Sequence, residues 1–109
     1  MMNRIDPEIL KKVISQRCNI HIYDIIIIIK NEDTDGILVF IKNTSLKFYI
    51  TYKASSQIYQ VKAVLTPCYL LPYGASENFN SYVNNFTLLL NKAVNVRSAI
   101  FNFLNSSYS

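Results

Sequence analysis

The chain has little of what catalysis most often uses. Its 109 residues include one histidine, two cysteines, two glycines, three prolines and no tryptophan, and 17% are charged. Two glycines cannot build a Gly-rich phosphate loop, and neither G-x-G-x-x-G nor G-x-x-x-x-G-K-[ST] occurs. A single histidine excludes a multi-histidine metal site and leaves His21 as the sole imidazole base. No apolar run exceeds the five residues of Ile25 to Ile29, far short of the ~20 that span a bilayer. The N-terminal segment has charges throughout and no apolar signal core. A cytoplasmic location without a membrane partner is therefore the expectation, and Cys18 and Cys68 are expected to be two free buried thiols rather than a disulfide.

What is present is apolar and, in its second part, basic. Half the residues are hydrophobic, which suits a single domain over 1–109 of a size that buries roughly two-thirds of its unfolded surface. The chain has 15 Ile, 12 Asn, 8 Lys and 8 Tyr against 3 Glu. AT-rich coding produces this excess, so part of it carries no function. The net charge of +4 is unevenly placed. Residues 1–36 hold 5 basic and 6 acidic groups, net −1, and residues 37–109 hold 6 basic and 1 acidic, net +5.

The order of elements is legible. Asp6-Pro7-Glu8 predicts a helix start: Asp6 as N-cap, Pro7 in the first turn, Glu8 against the dipole. Ile5 and Leu10 have the spacing of a hydrophobic staple. Ile9, Leu10, Val13 and Ile14 form one stripe, and the helix should end near Arg17 or Cys18. Ile20 to Lys30 is β-branched and aromatic and reads as a strand. Its isoleucine run leaves no polar face, so it should be central, covered on both sides, or at an interface. Asn31 to Gly36 is a hairpin loop, Ile37 to Lys42 a second strand and Leu46 to Lys53 a third. With a turn at Ala54 to Gln57, strand positions pair so that their numbers sum to 111. Leu46, Phe48, Ile50 and Tyr52 then share a face with Leu65, Ala63, Val61 and Tyr59. Lys47, Tyr49, Thr51 and Lys53 share the other with Val64, Lys62, Gln60 and Ile58. A helix from Ile58 to Leu65 is the rival reading; the alternation favours a strand. Thr66 to Ser76 is a loop, and a long helix follows from Ser76 or Asn78 to about Leu104, with Phe79, Tyr82, Val83, Phe86, Leu89, Leu90, Ala93, Val96, Ile100 and Leu104 on one stripe. Residues 105–109 read as a frayed tail. The expected fold class is α+β: an N-terminal helix, a three- to four-stranded antiparallel meander, and a long C-terminal helix packed on the sheet.

Sites for chemistry are weak. Asn31, Asp33, Asp35 and Gly36 match the first positions of an EF-hand loop, but the position that needs a bidentate Glu is Lys42. Cys18, His21 and Asp24 are spaced by three, which places neighbours on opposite faces of a strand. A zinc site from Cys18, His21 and Cys68 lacks a fourth ligand. Gly74-Ala75-Ser76-Glu77-Asn78 imitates G-x-S-x-G without its closing glycine. Asp24, inside an apolar strand, is the carboxylate whose burial matters most. No metal, no cofactor and no enzyme activity are expected. Binding is better represented. Lys47, Tyr49, Lys53 and Lys62 share the inferred outer sheet face, where ammonium groups suit phosphates and a phenol ring suits a base. RNP1-like and GXXG sequences are absent. The isoleucine run, with Ile25, Ile27 and Ile29 as its interface residues, and the apolar last helix point to a protein partner, as a homodimer or heterodimer. Two helices covering opposite faces of the sheet would account for the same run.

Asp35-Gly36-Ile37-Leu38-Val39 leading to Tyr49-Ile50-Thr51-Tyr52-Lys53 resembles the small subunits of the signal recognition particle Alu domain. The resemblance covers roughly residues 7–62 and the last helix; the fourth strand and the 66–76 loop depart from it. It implies paired subunits with joined sheets holding RNA on the sheet face, nearest Lys47, Tyr49, Lys53 and Lys62. RNA binding within a complex is thus the leading expectation. A protein–protein module, such as a complex subunit or a viral or phage inhibitor, is the second.

Overall fold

The computed structural model describes residues 5–29, 36–65 and 76–107. Helix α1 spans Pro7–Cys18 and strands β1 to β4 span Ile25–Ile29, Gly36–Ile41, Leu46–Lys53 and Ile58–Leu65; helix α2 spans Ser76–Ser107. The four strands form one antiparallel sheet in the order β1-β2-β3-β4. The predicted α+β architecture is the observed one. So is the β3–β4 register, from Leu46↔Leu65 through Lys53↔Ile58, and the strand reading of 58–65.

Local chemistry sets the ends of α1. The Asp6 carboxylate accepts the Glu8 N–H at 2.9 Å, satisfying a donor that the first turn leaves unpaired. Asn19 closes the helix in the left-handed region, φ 54° and ψ 47°, a conformation Asn tolerates better than most residues. The N–H groups of Asn19 and Ile20 both reach the Ser15 carbonyl, which reverses the chain and buries Ile20. Ile5 and Leu10 are both buried, as a staple requires. Ile9, predicted on the same stripe, is exposed.

The first strand is shorter than its composition predicts. Ile22–Asp24 forms a 3-10 turn, with the Tyr23 N–H donating to His21 Nδ1 at 3.3 Å and the Asp24 N–H to the His21 carbonyl at 2.9 Å. The histidine therefore caps a turn, a role that strand propensity does not register. Asp24 consequently sits in this turn, half-buried, rather than inside an apolar strand.

Both helices pack on the same face of the sheet. α1 lies against β1 and α2, and α2 lies along β4 and reaches β3. The core joins Leu10 and Ile14 of α1, Val96, Ile100 and Leu104 of α2, and the inward row of the sheet centred on Val39, Phe48 and Ile50. Full burial of Phe48 alone contributes about 1.5–3 kcal/mol. Two of the alternatives fall. The helices do not cover opposite faces, and the isoleucine strand is an edge rather than central or covered on both sides; the interface alternative is compatible with that position. A strand of β-branched residues reads the same in either position, because composition does not encode neighbours.

The opposite edge is closed by side chains. Asn105 accepts the Tyr59 N–H at 2.8 Å and donates to the Tyr59 carbonyl at 3.1 Å, and Arg97 Nε donates to the Val61 carbonyl at 2.9 Å. These are three of the outward backbone groups of β4, so α2 closes the Tyr59–Val61 stretch of an edge that would otherwise template further strands. The predicted end near Leu104 and the frayed tail from Asn105 give way to a helix that runs to Ser107 and uses Asn105 as a structural amide. Asn105→Ala should cost about 1–3 kcal/mol in urea unfolding, while Asn102→Ala, on the exposed face of the same helix, should stay within ~0.5 kcal/mol. Equal effects would contradict the sealing role.

Candidate nucleic-acid interface

The face without helices is built from cross-strand rows. One runs Ile26–Phe40–Lys47–Val64, the next Ile28–Leu38–Tyr49–Lys62, then Gly36–Thr51–Gln60 and Lys53–Ile58. The face is thus divided: apolar over β1 and β2, basic and polar over β3 and β4. Strand alternation brings Lys47, Tyr49, Lys53 and Lys62 together, as predicted. Lys53 and Lys62 are exposed, and Lys47 and Tyr49 are half-buried. At the border between the halves the Lys47 ammonium stands 5.5 Å over the Phe40 ring. Residues 36–65 contain no Asp or Glu, so the strands themselves offer these ammonium groups no counter-charge.

The second candidate surface is β1. Ile25, one of the predicted interface residues, is 2% exposed and belongs to the core. Ile27 is half-buried against that core, and Ile29 is 56% exposed. Ile26 and Ile28, at 37% and 46%, present their side chains on the open face. The Lys42 N–H donates to the Asp24 carbonyl at 2.7 Å. By antiparallel alternation Ile26 and Ile28 also turn their backbone groups to β2, and Ile27 and Ile29 turn theirs to the outer edge. Of the three predicted residues, Ile27 and Ile29 turn their backbone groups to the outer edge and the Ile25 N–H is taken by the Ile22 carbonyl, while most exposed side-chain surface comes from Ile26, Ile28 and Ile29.

Candidates for chemistry are dispersed. Among the described residues no three His, Cys, Asp or Glu side chains cluster as a metal site would require. Cys68, the calcium-like positions Asn31, Asp33 and Asp35, and Gly74 and Ala75 lie outside the described residues; Ser76 opens α2. No described helix is long and apolar enough to cross a membrane. Cys18 is half-buried at the α1–α2 contact, with Sγ 3.6 Å from the Asn95 carbonyl oxygen. Burial pushes its thiol above the usual value, with Arg17 pulling back the other way. That is the reverse of an activated nucleophile.

Sequence reasoning missed Arg97 and Asn105. The signal for Arg97 was present: a lone cation between Ala93 and Ile100 in an otherwise apolar helical stripe. Asn105 gave no signal, since its role depends on a strand 46 positions earlier.

Because the raised thiol is protonated until higher pH, alkylation of Cys18 by iodoacetamide at pH 7.5, followed by peptide mass spectrometry, should be several-fold slower than that of a free cysteine peptide. It should gain on the peptide as pH rises beyond the ordinary thiol range; a rate faster than the peptide's at pH 7.5 would contradict the burial argument.

No family model, curated protein or solved structure matches the chain, and the functional reading rests on the chemistry of these surfaces.

Proposed function

We propose that this chain is a non-enzymatic RNA-binding protein that holds a single strand across β3 and β4 as part of a complex. The observation that carries the reading is the placement of Lys47, Tyr49, Lys53 and Lys62 on one helix-free face. Ammonium groups that meet phosphates release condensed counterions, giving affinity without sequence preference. A tyrosine among them adds base stacking, worth about 1–3 kcal/mol per base. A sheet offers this platform without rearrangement, because the backbone is fixed by its ladder and only side chains adapt. The resemblance to the Alu-domain subunits supports the same ligand at the same four residues.

Three lysines predict a log–log salt slope near −2, at about 0.7 per phosphate on a single strand. Lys47→Glu with Lys62→Glu should lower affinity for an oligouridylate at least tenfold near 0.1 M salt and flatten that slope to below about half. Unchanged binding in the double variant would sink the reading.

A second reading, a protein–protein module, is favoured by the open β1 edge. Among the described residues nothing seals the outward backbone groups of Ile27 and Ile29, and Ile26, Ile28 and Ile29 offer apolar surface beside them. Strand addition by a partner chain fits both features. Ile29→Pro, at an exposed residue, removes an edge-facing N–H without touching the β1–β2 ladder. In this reading the wild-type chain sediments as a dimer or carries one stoichiometric partner, and the proline variant loses it while melting within a few degrees of wild type. A wild-type chain that stays monomeric at 100 µM and purifies alone would end this reading.

A further inference from the structure

Beside the sealed edge of β4 runs a groove of about 640 Å³, lined by Ile58, Gln60, Val61, Lys62, Arg97 and Phe101. Arg97 is held there from two directions. Its Nε–H donates to the Val61 carbonyl at 2.9 Å, and its guanidinium carbon lies 5.6 Å from the Phe101 ring centroid. Guanidinium has five N–H donors in one plane. One is engaged on β4 and the ring orients the plane, which leaves the two terminal amino groups as a pre-positioned fork. No carboxylate pairs with Arg97 among the described residues, and residues 36–65 and 78–107, which form the groove, contain no Asp or Glu. A second cation, Lys62, lines the same space.

We propose that this groove is a phosphate-ester site, with Arg97 as its fork and Lys62 as its second cation. A planar fork matches two oxygens of a phosphate, and an ammonium adds charge without directional demand. Gln60 contributes an amide, and Ile58, Val61 and Phe101 form an apolar wall for the sugar or base attached to the ester. The volume falls in the range that holds a small organic ligand. The inference deepens the RNA reading and rests on it. Lys62, Gln60 and Ile58 belong to both the open face and the groove, so a strand lying on β3 and β4 turns over the edge of β4 at Arg97. The ester is supplied either by an internal phosphodiester or by a terminal phosphate, and both place the same oxygens on the same fork.

The test uses the full chain with decauridylate lacking a 5′-phosphate and decauridylate carrying one, read by binding isotherms and by the Arg97 Nε–Hε resonance. A shift with the unphosphorylated strand supports an internal phosphodiester, and a shift with only the 5′-phosphorylated strand supports a terminal phosphate. No shift with either overturns the site. Arg97→Lys keeps the charge and can still donate to the Val61 carbonyl, but it lacks the fork. It should melt like wild type, bind three- to tenfold more weakly and keep the salt slope, whereas Arg97→Gln should also flatten the slope by about 0.7. Wild-type affinity in Arg97→Lys means that the residue only seals the edge, which overturns the site. Should Lys47→Glu weaken binding while both Arg97 variants do not, the groove falls and the RNA reading stands. Absence of any oligouridylate binding by the wild-type chain removes both.

Discussion

The contact on which the rest depends is the apolar layer between one face of the sheet and both helices. Leu10 and Ile14 from α1 and Val96, Ile100 and Leu104 from α2 meet over Val39, Phe48 and Ile50. Because both helices are used on one side, the other side of the sheet carries none. Because α2 lies along β4, its side chains reach that strand's outward backbone. Among the described residues the molecule therefore has a bare sheet face, a β4 edge closed at Tyr59 and Val61, and an open edge at β1.

An unsealed strand presents a row of N–H and carbonyl groups that pair with any extended chain. At β4 Asn105 mimics a neighbouring strand, donating and accepting at the same residue, and Arg97 takes the next outward carbonyl. The β1 edge has only isoleucine, which cannot do this. Arg97 is thereby placed by a structural contact that uses one of its donors and leaves the others. A single residue can close an edge and still meet an anion, since the two tasks use different atoms of the guanidinium.

What the sequence made legible was local. Strand boundaries at Leu46, Lys53, Ile58 and Leu65, the register across the 54–57 turn and the shared face of Lys47, Tyr49, Lys53 and Lys62 follow from alternation with a period of two. Asp6 and Pro7 marked a helix start through their own backbone chemistry. What was not legible was relational. Whether an isoleucine strand is central or at an edge depends on which strands flank it, and whether two helices share a face depends on the path between elements. His21 was misread because its ring nitrogen caps a turn in a segment of high strand propensity. Asn105 was misread because polarity at a chain end resembles fraying, when in fact its amide completes a distant strand. The basic face was found without the structure; the fork beside it was not.

The central claim is that the helix-free face over β3 and β4 is the working surface. Amide and side-chain chemical-shift mapping of the full chain against a single-stranded decauridylate tests it most directly. Perturbations are expected at Lys47, Tyr49, Thr51, Lys53, Gln60 and Lys62 that titrate together, with α1 unaffected. Perturbations centred on α1, or none at concentrations where the oligonucleotide is in large excess, would contradict it.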